Sequence, residues 1–279
     1  MAMLPNPLPR LADDPTGATL GLRLPPGQLI DTTFEGPWHE PLLWYADGPA
    51  AADTWSGLLA ARSAGLLPVL LESETMQDGQ FARWQLDPGM MSYPGDHDAE
   101  EFLADCWTSY LADEDYDEDD LIELVAPYGP EWPGLAPALA PEADSERADT
   151  VAAEITAELV GTGQLDNPRA ALVHARRSAD IPAAMGWSGA LNHENDVAAL
   201  CAVLRSWEDR FGLRLVALGS DTLTATVAAP PRTPEEAEAI AAEHFAFCPD
   251  NITQGHFETL RDYAHKALLA KPTWHFWWD

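Results

Sequence analysis

The segment Trp274-His275-Phe276-Trp277-Trp278-Asp279 packs four large aromatic rings into five consecutive positions at the end of the chain. Chain ends fray unless something docks them, and each such ring buries roughly 150–250 Å² when packed. A docked closing strand is therefore expected here. Pro272 stops the helical pattern before it. With side chains alternating along a strand, Trp274, Phe276 and Trp278 share one face, turned to the core. His275 and Trp277 share the other, which makes them the tail's candidates for ligand contact.

Upstream of the tail the punctuation is clear. Thr233-Pro234-Glu235-Glu236 combines a Thr N-cap, Pro at the first helical position and Glu at the third, the capping-box pattern. It predicts a helix to about Phe247. Asn195 or Asp196 caps a second helix through Phe211, with Val197, Leu200, Cys201, Leu204 and Trp207 as its apolar stripe and Gly212 as its stop. Leu213–Leu218 and Leu223–Ala228, joined by Gly219-Ser220-Asp221, predict a hairpin. A further helix is expected from Thr253 or Gln254 to Leu269. In the N-terminal half, Leu42–Tyr45, a helix over Ala50–Arg62 stopped at Gly65, and Leu66–Leu71 form a strand–helix–strand unit, an order that favours a parallel pair. Strand 171–174 and helices over 98–111 and 145–160 complete the pattern.

These elements predict an α+β fold of α/β-sandwich type. An N-terminal acidic α/β region covers 1–126. A Pro-rich stretch over 127–145, with Pro at 127, 130, 133, 137 and 141, is either an interdomain linker or a draped connection. A mixed-sheet α/β domain over 146–279 is closed by the aromatic strand.

Four segments together resemble a bacterial family, domain of unknown function 4253, common in actinobacteria. They are Ala202–Gly212 (AVLRSWEDRFG), Asp221–Leu223 followed by Val227–Pro231, Glu243–Ile252 (EHFAFCPDNI) with Gln254-Gly255, and Trp274–Asp279. The resemblance covers about residues 170–279. It implies no reaction, cofactor or catalytic residue.

Charge narrows the classes of partner. The net charge is −31, and residues 1–145 hold 27 acids against 4 Lys/Arg. Such a field repels nucleic acid and anionic membranes and attracts cations. No apolar stretch reaches the roughly 18 residues of a membrane span, and no signal-peptide pattern opens the sequence. Cys106, Cys201 and Cys248 are odd in number and far apart, against a disulfide framework. A cytoplasmic location is expected.

Chemistry-bearing motifs are sparse. His244-x3-Cys248-x7-His256 has zinc-type ligands, but a fourth ligand is not evident and Cys248 suits a packed core equally well, so no metal is assigned. The seven carboxylates of Asp113–Asp120 miss the calcium-loop pattern, with Glu118 where Gly is needed. Glu208, Asp209 and Arg210 form either surface pairs or a buried Asp–Arg pair, and Arg176-Arg177 either takes an anion or solvates a helix start. Phosphate-loop, H-E-x-x-H and G-x-S-x-G patterns are absent from the sequence, and no cofactor is implied. The leading expectation is a non-enzymatic binding protein that docks a basic partner, an immunity or antagonist protein being the specific version. The alternative is an enzyme or small-ligand binder, with His244, Cys248, Asp250, Asn251, His275 and Trp277 lining a pocket between the Cys248–Asn251 loop and the tail. Oligomeric state is left open.

Overall fold

The computed structural model describes residues 5–72, 76–77, 80–81, 86–112, 118–139 and 144–279. Its strands in chain order are β1 (Gly27–Ile30), β2 (Thr32–Thr33), β3 (Gly36–Pro37), β4 (Leu43–Ala46), β5 (Leu66–Leu71), β6 (Met76–Gln77), β7 (Gln80–Phe81), β8 (Arg169–His174), β9 (Leu213–Leu218), β10 (Thr222–Val227) and β11 (Thr273–Trp277). The helices are α1 (Arg10–Asp13), α2 (Thr54–Leu58, prolonged by a 3-10 turn to Ala64), α3 (Ala99–Leu111), α4 (Glu118–Val125), α5 (Ser145–Thr162), α6 (Ile181–Met185), α7 (Val197–Phe211), α8 (Pro234–Phe247), α9 (Asp250–Thr253) and α10 (Leu260–Tyr263). Seven strands form one mixed sheet in the order β1-β4-β8-β5-β9-β10-β11.

The expected boundary between halves does not divide this sheet. β8, from the C-terminal part, lies between β4 and β5 and is antiparallel to both. β4 and β5 therefore run parallel to each other, as expected, but they are not neighbours. Every residue of β4 and β5 is buried, so each needs a partner on both sides, and nothing local in the sequence names that partner. The described part of the Pro-rich stretch, 127–139, is tied to the C-terminal helices α7 and α8. Ala136 N–H donates to the Glu243 carboxylate at 2.7 Å, and Leu139 N–H to the Arg210 carbonyl at 3.1 Å.

Both faces of the sheet are covered. On one, Leu43, Tyr45, Val69, Val173, Leu215 and the rings of Trp274, Phe276 and Trp278 pack against α3, α7 and α8. On the other, Trp44, Leu70, Leu172 and Val216 pack against α2, α5 and the N-terminal Leu8 and Leu11. A bulge at Val216, where Thr224 faces Ala217 but Ala225 faces Leu215, lets Leu215 and Leu218 point to the same side despite their odd spacing.

Pro68 sits in a central strand, a position usually closed to Pro because it removes a ladder donor. Glu72 N–H donates to Leu218 O of β9 at 3.0 Å, so the even-numbered amides of β5 point at β9. That pairing involves only Leu70 and Leu71, and the missing N–H of Pro68 falls where β9 is not yet paired. At that level Leu215 N–H of β9 turns instead to the Ser178 hydroxyl, at 2.8 Å. The Ser178–Asp180 turn thus packs into the end of the sheet where β5 and β9 part, and it carries Asp180 to a surface cleft.

Local signals hold at several caps. Asp196 and Asp98 accept amide hydrogen bonds from the first turns of α7 and α3, and the Thr233–Glu236 capping box is complete. The helix expected over 253–269 is shorter and broken. The chain turns at Gly255, where a Cβ would lie 2.2 Å from the Asn251 carbonyl oxygen. Thr259 caps a fresh start at Leu260, and the last turn, Ala264–Leu268, has π-helical pairing. Residues 113–117 of the acidic run lie outside the described residues.

Candidate functional site

The Cys248–Asn251 loop and the aromatic strand do meet, as a structural latch. β11 is the last strand of the sheet, and its open edge needs a cover. The Asn251 side chain supplies one. Its Oδ1 accepts Trp277 N–H at 3.1 Å and its Nδ2 donates to His275 O at 2.7 Å, which copies one peptide unit of a neighbouring strand. Cys248 Sγ–H donates to Trp277 O at 2.9 Å, and Asp250 accepts Asp279 N–H at 3.1 Å.

Because Asn251 Nδ2 also donates to the Tyr263 hydroxyl, at 3.3 Å, that hydroxyl directs its own proton to His244 Nδ1, at 2.9 Å. This assigns His244 the neutral tautomer with the proton on Nε2. The ring is fully buried among Trp207, Trp274 and Phe276, and burial holds its pKa well below the usual histidine value. Burial likewise pushes the Cys248 thiol up, which holds the sulfur as a neutral thiol rather than a thiolate nucleophile. His256 is exposed on the far side of the Gly255 turn. Among the described residues, no group of three or more His, Cys, Asp or Glu side chains is arranged to hold a metal. His275 is exposed and bonded to Thr224, and Trp277 is half-buried, as the strand period predicts. Loop and tail thus meet through hydrogen bonds of the chain to itself. The loop's polar atoms are engaged in binding the chain to itself, and none of the six residues lines the cleft found elsewhere.

Three arginines, Arg205, Arg210 and Arg214, are turned inward. Glu243, with no exposed surface, accepts from Ala136 N–H, from Trp207 Nε1 at 2.7 Å and from both terminal nitrogens of Arg210, at 2.7 and 2.5 Å. The Arg210 partner is thus Glu243 of α8 rather than a neighbouring acid of its own helix. Arg214, also buried, binds Asp149 at 2.7 Å, and Arg62 binds the same carboxylate. Arg177 pairs with Asp209 and Glu208. Structural pairs therefore take up much of the small cationic complement, and a chain of net charge −31 is left with an acidic exterior.

The cleft, of about 240 Å³, opens where β8 ends and the Ser178–Asp180 turn begins. His174 and Arg176 come from the end of β8, Asp180 from the turn, and Arg205 from α7. Trp38, Glu40, Met91 and Tyr93 come from the N-terminal part. Arg205 Nε donates to Asp180 Oδ1 at 2.5 Å, which raises the guanidinium pKa further, and its Cζ lies over the Tyr93 ring, 5.3 Å from the ring centre. Gly95 permits this stack: a Cβ there would lie 2.5 Å from the Tyr93 ring and 3.1 Å from Arg205 Nη1. Burial lowers the His174 pKa against an opposing pull from Glu40, so the cleft's lasting cations are the arginines. At the rim, Ser92 Oγ lies 2.6 Å from His97 Nε2. Asp196 approaches that same nitrogen, at 3.6 Å. A relay carboxylate must hold the other ring nitrogen, so the three do not form a hydrolase triad.

Fold and site together define a three-layer α/β protein with one mixed sheet and a small cleft at its end. Residues 169–279 match the model of a family described as a domain of unknown function (DUF4253). The C-terminal part of the chain therefore resembles that family, and it supplies the charged wall of the cleft, while the aromatic wall lies outside the match. Comparison with curated proteins and with solved structures gave no match. The cleft had no local signature in the sequence. Asp180 and Arg205 stand 25 positions apart, on different elements, so no local pattern joins them.

Proposed function

We infer that this chain is a non-enzymatic binding protein whose acidic exterior docks a basic protein. The excess of 46 acids over 15 Lys and Arg carries this reading, and the inward pairing of Arg210 and Arg214 takes two of those few cations off the surface. An acidic field accelerates encounter with a cationic partner. The specific version is a cytoplasmic immunity-type protein that occludes a basic toxin such as a nuclease. Among the described residues no helix is long and apolar enough to cross a membrane, which is compatible with this. Affinity capture at low salt tests it. A stoichiometric basic partner that is released by salt supports the reading, and recovery of no such partner refutes it.

The cleft favours a second reading, a small-ligand site. It is concave, with aromatic walls and a few convergent charged groups, the usual make-up of such sites.

A further inference from the structure

We propose that the cleft takes a small zwitterion, an α-amino acid with an apolar side chain; this rests on the second reading above. Three observations meet. First, in a chain where acids outnumber Lys and Arg by 46 to 15, the cleft is close to balanced, with Arg176 and Arg205 against Glu40 and Asp180. A simple cation meets two arginines there and a simple anion meets two carboxylates.

Second, Asp180 is 7% exposed, and its carboxylate is hydrogen-bonded to Arg205 through Oδ1. A carboxylate has room for further donors on its second oxygen. Arg205 uses Nε for this bond, and among the described residues its terminal nitrogens have no carboxylate partner, although its guanidinium also hydrogen-bonds the Tyr93 side chain. The pair presents an acceptor and donors side by side, the complement of an ammonium next to a carboxylate. Arg176 and Glu40 also line the cleft and add one charge of each sign. The Asp180–Arg205 pair neutralises itself, and a ligand carrying both charges can engage it without leaving either of its own charges unmatched.

Third, Trp38, Met91 and Pro88 form an apolar wall. At about 240 Å³ the space is below the roughly 300–1,000 Å³ of drug-sized sites and suits a single amino acid.

The test is an NMR titration that follows the Trp38 indole N–H with three matched probes: L-phenylalanine, 3-phenylpropionate and 2-phenylethylamine. L-Phenylalanine is expected to shift the signal saturably, with each mono-charged probe at least ten-fold weaker. Asp180→Asn should weaken L-phenylalanine about ten-fold while leaving 3-phenylpropionate unchanged. Glu40→Gln, at a half-buried rim position, should weaken L-phenylalanine several-fold in a chain that stays folded. If either mono-charged probe binds as tightly as L-phenylalanine, the zwitterion assignment is overturned and the small-ligand site stands. If no probe moves the Trp38 signal, both are overturned.

Discussion

Glu243→Ala is the sharpest single perturbation of this fold. The carboxylate is wholly buried and accepts four hydrogen bonds, from Ala136 N–H, Trp207 Nε1 and two Arg210 nitrogens. Its removal leaves the Arg210 guanidinium, 13% exposed at the side chain, facing no carboxylate. Removing one partner of a buried pair costs about 3–5 kcal/mol. The two neutral donors add roughly 1–3 kcal/mol each if they stay dry, but water entering the vacated space offsets much of that. A loss of about 4 kcal/mol is expected, or on the order of 8–16 °C in Tm for a chain of this size. Urea unfolding followed by tryptophan fluorescence measures it, with Trp207 as a reporter in the network itself. Glu243→Met with Arg210→Met should recover most of the loss, since apolar replacement of a buried pair is often close to neutral. A loss below about 1 kcal/mol for Glu243→Ala, or strict additivity in the double variant, would refute the buried-network account.

Other outcomes follow from the latch and its neighbours. Asn251→Ala should cost about 1–3 kcal/mol by leaving the Trp277 amide and His275 carbonyl unpaired; it should also promote self-association through the uncovered edge of β11, read by sedimentation velocity. His244 should stay neutral from pH 8 to 5, its ring proton shifts unmoved by NMR. Since its folded pKa lies below the unfolded value near 6.5, the unfolded chain alone takes up the proton, and stability falls as pH drops below about 6.5, by up to about 1.4 kcal/mol per pH unit. A ring that titrates near 6.5 contradicts its burial. Cys201 and Cys248, both fully buried, should react with a thiol reagent only on unfolding, so rapid labelling of either in the native protein would contradict its placement.

The elements that were legible in the sequence are those set by short-range chemistry. Thr233 to Glu236, Asp196 to Gly212 and the alternation through Trp274, Phe276 and Trp278 each carry their instruction within a few residues. The insertion of β8 between β4 and β5 is a different kind of fact. All three strands are apolar throughout or nearly so, and any of them could pair with any other; the order is decided by packing of α2 and α5 over one face and α7 and α8 over the other. The polar cluster at 244–251 was visible, but its meaning was not. His244, Cys248 and Asn251 look the same on paper whether they face a ligand or the edge of β11, and only the position of Tyr263 and the tail decides. Asp180 and Arg205 belong to different elements whose meeting depends on where β5 and β9 part at Pro68.

The most direct test of the proposed function is the salt dependence of association with the basic partner once it has been isolated. Steering by an acidic exterior predicts that the association rate constant falls at least ten-fold between about 50 and 500 mM salt while the dissociation rate changes little. An association rate independent of salt would contradict an acidic docking surface, whatever the affinity.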